Sequence, residues 1–149
     1  MKQVTTLTLD EANLMLDAAQ AKAEEIGVPQ TLCVADHAGY PIALRRLEGG
    51  KVSSVQIAMN KAFTAAAHRK PTHFYKNAVP GEEAFGIMTQ HDGKFTIFVG
   101  GWPIEVDGVV VGSIAASGGN GEQDITCCKA GIEALMDQLG MKADFSKWE

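Results

Sequence analysis

Apolar residues along this chain alternate between helical stripes and strand-like runs. Thr8-Leu9-Asp10-Glu11 has the form of a capping box. Behind it Ala12, Leu16, Ala19, Ala23 and Ile26 recur at three- and four-residue steps, which predicts a helix to about Ile26 with Gly27 stopping it. Thr31 to Asp36 and Pro41 to Leu47 read as two strands around the turn His37-Ala38-Gly39-Tyr40. An alanine-rich helix follows from Ser53 to His68, and Pro71 closes it or opens a short helical piece. Pro80-Gly81 is a break, and Glu82 to His91 is irregular. Lys94 to Val99 reads as a strand. Asp107-Gly108, flanked by Val106 and Val109, is then a strong hairpin signal that predicts Val106 opposite Val109 and Ile104 opposite Val111. Val110 and Ile114 make the other face of the second hairpin strand apolar, so both its faces are expected to be covered. Ile125, Cys128, Ile132, Leu135 and Leu139 mark a last long helix, and Lys142 to Glu149 carries no pattern. The order helix, two strands, helices, three strands, helix implies an α+β fold, an antiparallel sheet flanked by helices.

Composition narrows the function classes. The 149 residues suit one domain, 1–149, with a sizeable core. A net charge of −5 with no basic run speaks against nucleic acid as a partner. No stretch approaches the roughly 20 apolar residues of a membrane span, and the first residues lack the apolar core and cleavage pattern of a secretory signal. Three cysteines, Cys33, Cys127 and Cys128, form an odd set, which points to a reducing, cytoplasmic setting. Cys127 and Cys128, adjacent on a helix, point apart and make a poor metal pair, so all three read as small buried hydrophobes.

Two glycine clusters carry the candidate chemistry. After Ser117 the chain runs Gly118-Gly119-Asn120-Gly121 into the last helix, a turn that leaves backbone N–H groups able to hold an anion. Gly100-Gly101 opens the hairpin. The motifs KAFTAAAH, GGWPIEVDG and GSIAASGG, with a helix beginning near Asp124, resemble the GlcG/HbpS-like family, which includes the C-terminal domain of PduO-type proteins. The resemblance runs from Leu7 to about Leu139. It departs at Ala115-Ala116, where many relatives carry glycine-valine. It implies a five-stranded antiparallel sheet with helices on both faces, profilin-like in its order α-β-β-α-α-β-β-β-α, with strand order 2-1-5-4-3. It also implies dimers or larger homo-oligomers. Several such proteins bind haem, and some are linked to haem degradation or to diol and glycolate pathways.

With that strand order, Gly100, Gly101, Ser117, Gly118, Gly119, Arg45, Arg46 and Ser53 converge at one corner. Amides, a helix dipole and guanidinium groups would there suit a haem propionate or small organic acid. The plainer alternative is that the glycines only make tight turns and the arginines are solvated. Lys61 is either a stem lying along the sheet with its head in water, or a cation inside the pocket for an acidic ligand. Glu122 and Asp124, in the first turn of the last helix, read as caps. Of the histidines, His37 and His68 are the first candidates for haem iron, although no C-x-x-C-H or H-E-x-x-H motif is present. No nucleophile elbow or catalytic carboxylate pair is visible. Three readings follow: an oligomeric small-molecule-binding protein, with haem or another tetrapyrrole as ligand; an enzyme acting on a small organic acid or aldehyde, with Lys61 or a histidine as acid-base group; and an accessory structural subunit.

Overall fold

The computed structural model describes residues 1–149. Helix α1 spans Leu9–Glu25, and its start is the capping box read above: Glu11 N–H donates to Thr8 Oγ1 at 3.2 Å and Thr8 N–H to Glu11 Oε2 at 2.8 Å. Strands β1 (Thr31–Asp36) and β2 (Pro41–Arg46) form a hairpin, and helix α2 covers Ser54–His68. Strands β3 (Gly101–Val106) and β4 (Val109–Ser117) form the second hairpin, followed by helix α3 (Gly121–Gln138). Asn120 caps α3 by accepting from Gln123 N–H at 3.0 Å.

The sheet has four strands, in the order β2-β1-β4-β3, antiparallel throughout. The expectation of five strands is therefore wrong at the outer edge. The segment Lys94–Val99 forms no ladder, and two of its backbone groups bond instead to Thr64 of α2. Thr96 N–H donates to Thr64 Oγ1 at 2.9 Å, and Lys94 O accepts from Thr64 Oγ1 at 3.2 Å. At the edge where a fifth strand would begin, Thr72 holds both backbone groups of Gly101, at 3.0 and 2.9 Å. The hairpin register also departs from simple pairing. Val106 faces Val109 as expected, but Glu105 faces Val110 and Ile104 faces Gly112, leaving Val111 in a bulge. Val111 O instead accepts from Leu7 N–H at 3.2 Å, which ties down the chain before α1.

Helices cover both faces of the sheet. Period-2 alternation sends Leu32, Val34, Ile104, Ile114 and Ala116 toward α1 and α3, into the main core. The opposite set, Cys33, Ala35 and Ala115, meets Ala58 and Ala62 of α2. Small side chains on both sides let α2 lie close: a Cβ on Gly101 would stand 2.7 Å from the Lys61 carbonyl oxygen. Ala58, Ala62, Ala65 and Ala66 are all buried within this one chain, so they call for no second copy to cover them. The link from α2 to β3, residues 69–100, is long and irregular, with two short 3₁₀ turns at Ile87–Thr89 and His91–Gly93. No helix is long and apolar enough to cross a membrane.

Candidate functional site

The two glycine clusters meet at one end of the sheet. Ala116 N–H donates to Gly100 O at 2.9 Å, and Gly101 sits opposite Ala115. Ser117, Gly118 and Gly119 follow directly. Lys61 reaches this corner from α2, and its ammonium donates to Ala116 O at 2.9 Å and to Asp124 Oδ2 at 3.0 Å. Lys61 is only 2% exposed and Asp124 only 3%. The pair thus joins helices on opposite faces of the sheet, through a gap that exists because residue 100 has no side chain. Its ring neighbour is Phe98, with the ammonium 5.3 Å from the centroid. The Lys61 head is therefore not in water, as the plainer reading had it; it is buried and held by the protein's own Asp124 and Ala116 O.

Around this pair lies an open cleft of about 360 Å³, lined by Lys51, Ser53, Ser54, Ile57, Lys61, Phe98, Val99, Ser117, Gly118, Gly119, Gly121 and Asp124. Asp124 does more than cap. Its Oδ1 accepts from Gly119 N–H at 3.0 Å, so the protein's own carboxylate occupies one of the amides expected to hold a ligand. Asn120 N–H is likewise taken, by Gln123 Oε1 at 2.9 Å. At the start of α2 the first amides are also taken, Ser54 N–H by Lys51 O at 3.0 Å and Val55 N–H by Val52 O at 3.4 Å, so what that end offers the cleft is side chains. Ser53 makes no side-chain cap there, the first turn carries no acidic residue, and Lys51 and Ser54 stand beside it. Behind Gly118-Gly119 the Gln30 side chain is fully buried, and neither of its amide atoms has a protein partner.

The remaining sequence candidates lie elsewhere. Arg45 pairs with Leu32 in the sheet, and alternation turns it to the α1 side. There it donates to Asp17 Oδ1 at 2.6 Å and Gln20 Oε1 at 3.2 Å, away from the cleft. His37 is exposed at the β1–β2 turn, the far end of β1 from Ser117. His68 ends α2, with its ring 5.0 Å from that of Phe95 and 5.7 Å from that of Tyr75. Desolvation beside these rings, with the charges of Lys70 and His91, holds the His68 imidazole below its ordinary 6.5. No histidine lines the cleft, and no cluster of histidine, cysteine and carboxylate side chains could hold a metal ion. The three cysteines are free and buried. Burial pushes the Cys33 thiol up to about 12 and Cys127 to about 11, so neither supplies a thiolate near neutrality.

A second hollow of about 400 Å³, lined by Ile57, Asn60, Met88, Gly93, Phe95, Thr96, Ile97 and Phe98, adjoins the cleft across Ile57 and Phe98. The two together run from an apolar floor to a polar, cationic end. Another hollow of about 430 Å³, between the end of α1 and Leu47-Glu48, brings two carboxylates, Glu24 and Glu48, and no cation.

An α+β domain with a cleft where its two helical layers meet at one end of an antiparallel sheet is the class defined by this fold. The family model described as haem degrading protein HbpS-like matches residues 7–133, and the chain belongs to that family. It is 36% identical over 137 residues to an uncharacterized 15.0 kDa protein of the dhaT-dhaS intergenic region of Citrobacter freundii, covering 91% of this chain and 96% of that one. The fold is similar to that of the Klebsiella pneumoniae protein ORFY, with a TM-score of 0.88, 32% identity, and 91% and 94% of the two chains covered. It is also similar to a PduOC–haem complex, with a TM-score of 0.83, 28% identity, and 87% and 95% covered.

Proposed function

We propose that the cleft binds a small molecule bearing an acid group, and that haem or another tetrapyrrole is its leading ligand. The observation that carries this reading is the joining of an apolar hollow to a polar end lined by Lys51, Ser53 and Ser54. An amphipathic planar ligand with carboxylate tails has the matching polarity. Likeness to a protein crystallised with haem supports the same choice. Lys51, Ser53 and Ser54 would take the acid groups, and Ile57, Phe95 and Phe98 would take the ring. Haem would supply redox or ligand-binding chemistry at its iron. Met88 is the one lining side chain of a type that commonly ligates haem iron. Placed outside both hollows, His37 and His68 would serve iron only at another site or across a contact between copies.

Haemin titration tests the reading. The expected result is a saturable Soret shift at micromolar haemin, weakened about tenfold by Lys51→Glu, the loss of roughly one charge-assisted hydrogen bond. Absence of any saturable shift removes haem from the proposal. The parallel titrations of His37→Ala and His68→Ala show whether either imidazole reaches the iron.

The proposal extends to a single-domain, cytoplasmic homo-oligomer serving a metabolic pathway of the diol- or glycolate-utilising type. The oligomer draws support from Val79, Phe85 and Phe98, at least half exposed on the irregular link. A monomeric mass by light scattering at micromolar concentration would remove it. A second reading, an enzyme acting on a small organic acid or aldehyde, is favoured by one observation, the buried Lys61–Asp124 pair.

A further inference from the structure

The geometry points to Lys61 as a nucleophile that forms an imine with a small acid-bearing aldehyde in the cleft, with Asp124 taking and returning the proton. The inference rests on the cleft being a ligand site, and it is independent of haem.

Three features place the chemistry there. The first is the pair itself. A buried ion pair is seldom more stabilising than apolar side chains of the same size, because desolvation offsets the attraction. Lys61 and Asp124 nevertheless stand 2% and 3% exposed at 3.0 Å. Both line the wall of the cleft of about 360 Å³, so the pair, though buried, borders ligand-sized space. The second is the donor count. A lysine ammonium has three N–H groups. Two are used, on Ala116 O at 2.9 Å and Asp124 Oδ2 at 3.0 Å, and no third protein acceptor meets the ammonium. The third is the orientation of the carboxylate. Gly119 N–H holds Asp124 Oδ1 at 3.0 Å, which leaves Oδ2 directed at the amine.

The steps balance without an oxidant or reductant. The Lys61 ammonium passes a proton to Asp124 Oδ2. The free amine attacks the aldehyde carbon, and a C–N bond forms as the C=O π bond opens. The new oxygen takes the proton that the attacking nitrogen sheds, giving a neutral carbinolamine. Asp124 then delivers its proton to that hydroxyl, and water leaves. The product is a protonated imine, one aldehyde having been added and one water lost. Ala116 O remains as acceptor for the iminium N–H. Lys51 and Ser53, which line the same cleft, provide the seat for the substrate's acid group.

The test is reductive trapping. The full-length protein is mixed with limiting succinic semialdehyde, or with propanal as its acid-free counterpart, in cyanoborohydride at neutral pH, and labelled lysines are mapped by peptide mass. The expected adduct falls on Lys61 at least tenfold ahead of the exposed Lys2 and Lys142. The acid-bearing probe should label it faster than propanal does. Asp124→Asn, whose amide oxygen can still accept from Gly119, should slow Lys61 labelling tenfold or more while Lys2 labelling and the circular-dichroism spectrum stay unchanged. Labelling spread over exposed lysines with Lys61 unmodified overturns the proposal, as does undiminished labelling in folded Asp124→Asn. Equal rates for the two probes overturn the acid-bearing class. Trapping at Lys61 without a haemin Soret shift would sink the haem reading and leave this one standing. The reverse pair of results would do the opposite.

Discussion

At Gly100 an added methyl group would stand 2.5 Å from Lys61 Nζ and 2.7 Å from Ala116 O, at a φ of +126° that favours glycine. Gly100→Ala should therefore both strain the backbone and dislodge the buried pair, for a loss of about 3 kcal/mol. Urea unfolding followed by circular dichroism would measure it. The pair itself makes an asymmetric prediction. Asp124→Leu leaves a buried ammonium without its counter-ion and should cost about 3–5 kcal/mol, whereas adding Lys61→Met to Asp124→Leu should recover most of that loss. A double-mutant cycle in urea checks this, and additive losses would contradict it. His68 sets a pH dependence. Its folded-state pKa lies below the ordinary 6.5, so the unfolded chain binds more protons in the window just under that value. Stability should be full above about pH 6.5 and fall as the pH drops through that window. His68→Gln should flatten the slope, read from urea midpoints across pH 5 to 8.

Elements were legible wherever a local signal stood alone. The Thr8 capping box, the Asp107-Gly108 turn and the three helical patterns each rest on short-range chemistry, and each element lies within about three residues of its expected place. The segment Lys94–Val99 failed for the opposite reason. Its β-like composition is a preference for a pleated, half-buried surface, and contacts distant in sequence compete with it: Thr64 of α2 bonds Thr96 N–H, and Thr72 bonds Gly101 N–H at the sheet edge. The corner was legible as a meeting of Gly100 with Ser117-Gly118, because antiparallel pairing fixes which strand ends meet. Its interior was not: Asp124 read as a cap, and only the fold brings Lys61 to it across the sheet. Arg45 erred by face rather than by position, since a residue at the right strand end points to one layer or the other by parity alone. At this scale Thr64→Val should cost about 1–3 kcal/mol, because it orphans the Thr96 N–H. It should also raise amide exchange at Thr96 while leaving the Asn120-capped start of α3 protected.

Across the whole molecule the piece with no sequence pattern, Lys142 to Glu149, turns out to fasten the long irregular link to the sheet edge. Phe145 packs edge-on to Trp102 at 5.6 Å, and the Lys129 ammonium lies 4.9 Å from the Phe145 ring. Lys147 pairs with Glu105 of β3 at 2.8 Å. Trp148 meets Phe74 of the link at 5.1 Å, and its carbonyl lies 3.2 Å from His73 Nε2. Such contacts leave no periodicity because each aromatic docks in a different place on a surface already formed. Trp102 is 3% exposed largely under this cover, and the chain has two tryptophans. In a Trp148→Phe background, Phe145→Ala should therefore shift the Trp102 emission to longer wavelength and lower stability by about 1–2 kcal/mol, the worth of a half-buried aromatic. The link should loosen with it, since His73 and Phe74 are held by the same segment, and proteolysis between α2 and β3 should quicken. The Lys61–Asp124 corner stands on other elements, so any ligand affinity of the cleft should change far less than the cleavage rate. Equal losses of both would mean that the tail holds the cleft as well as the link.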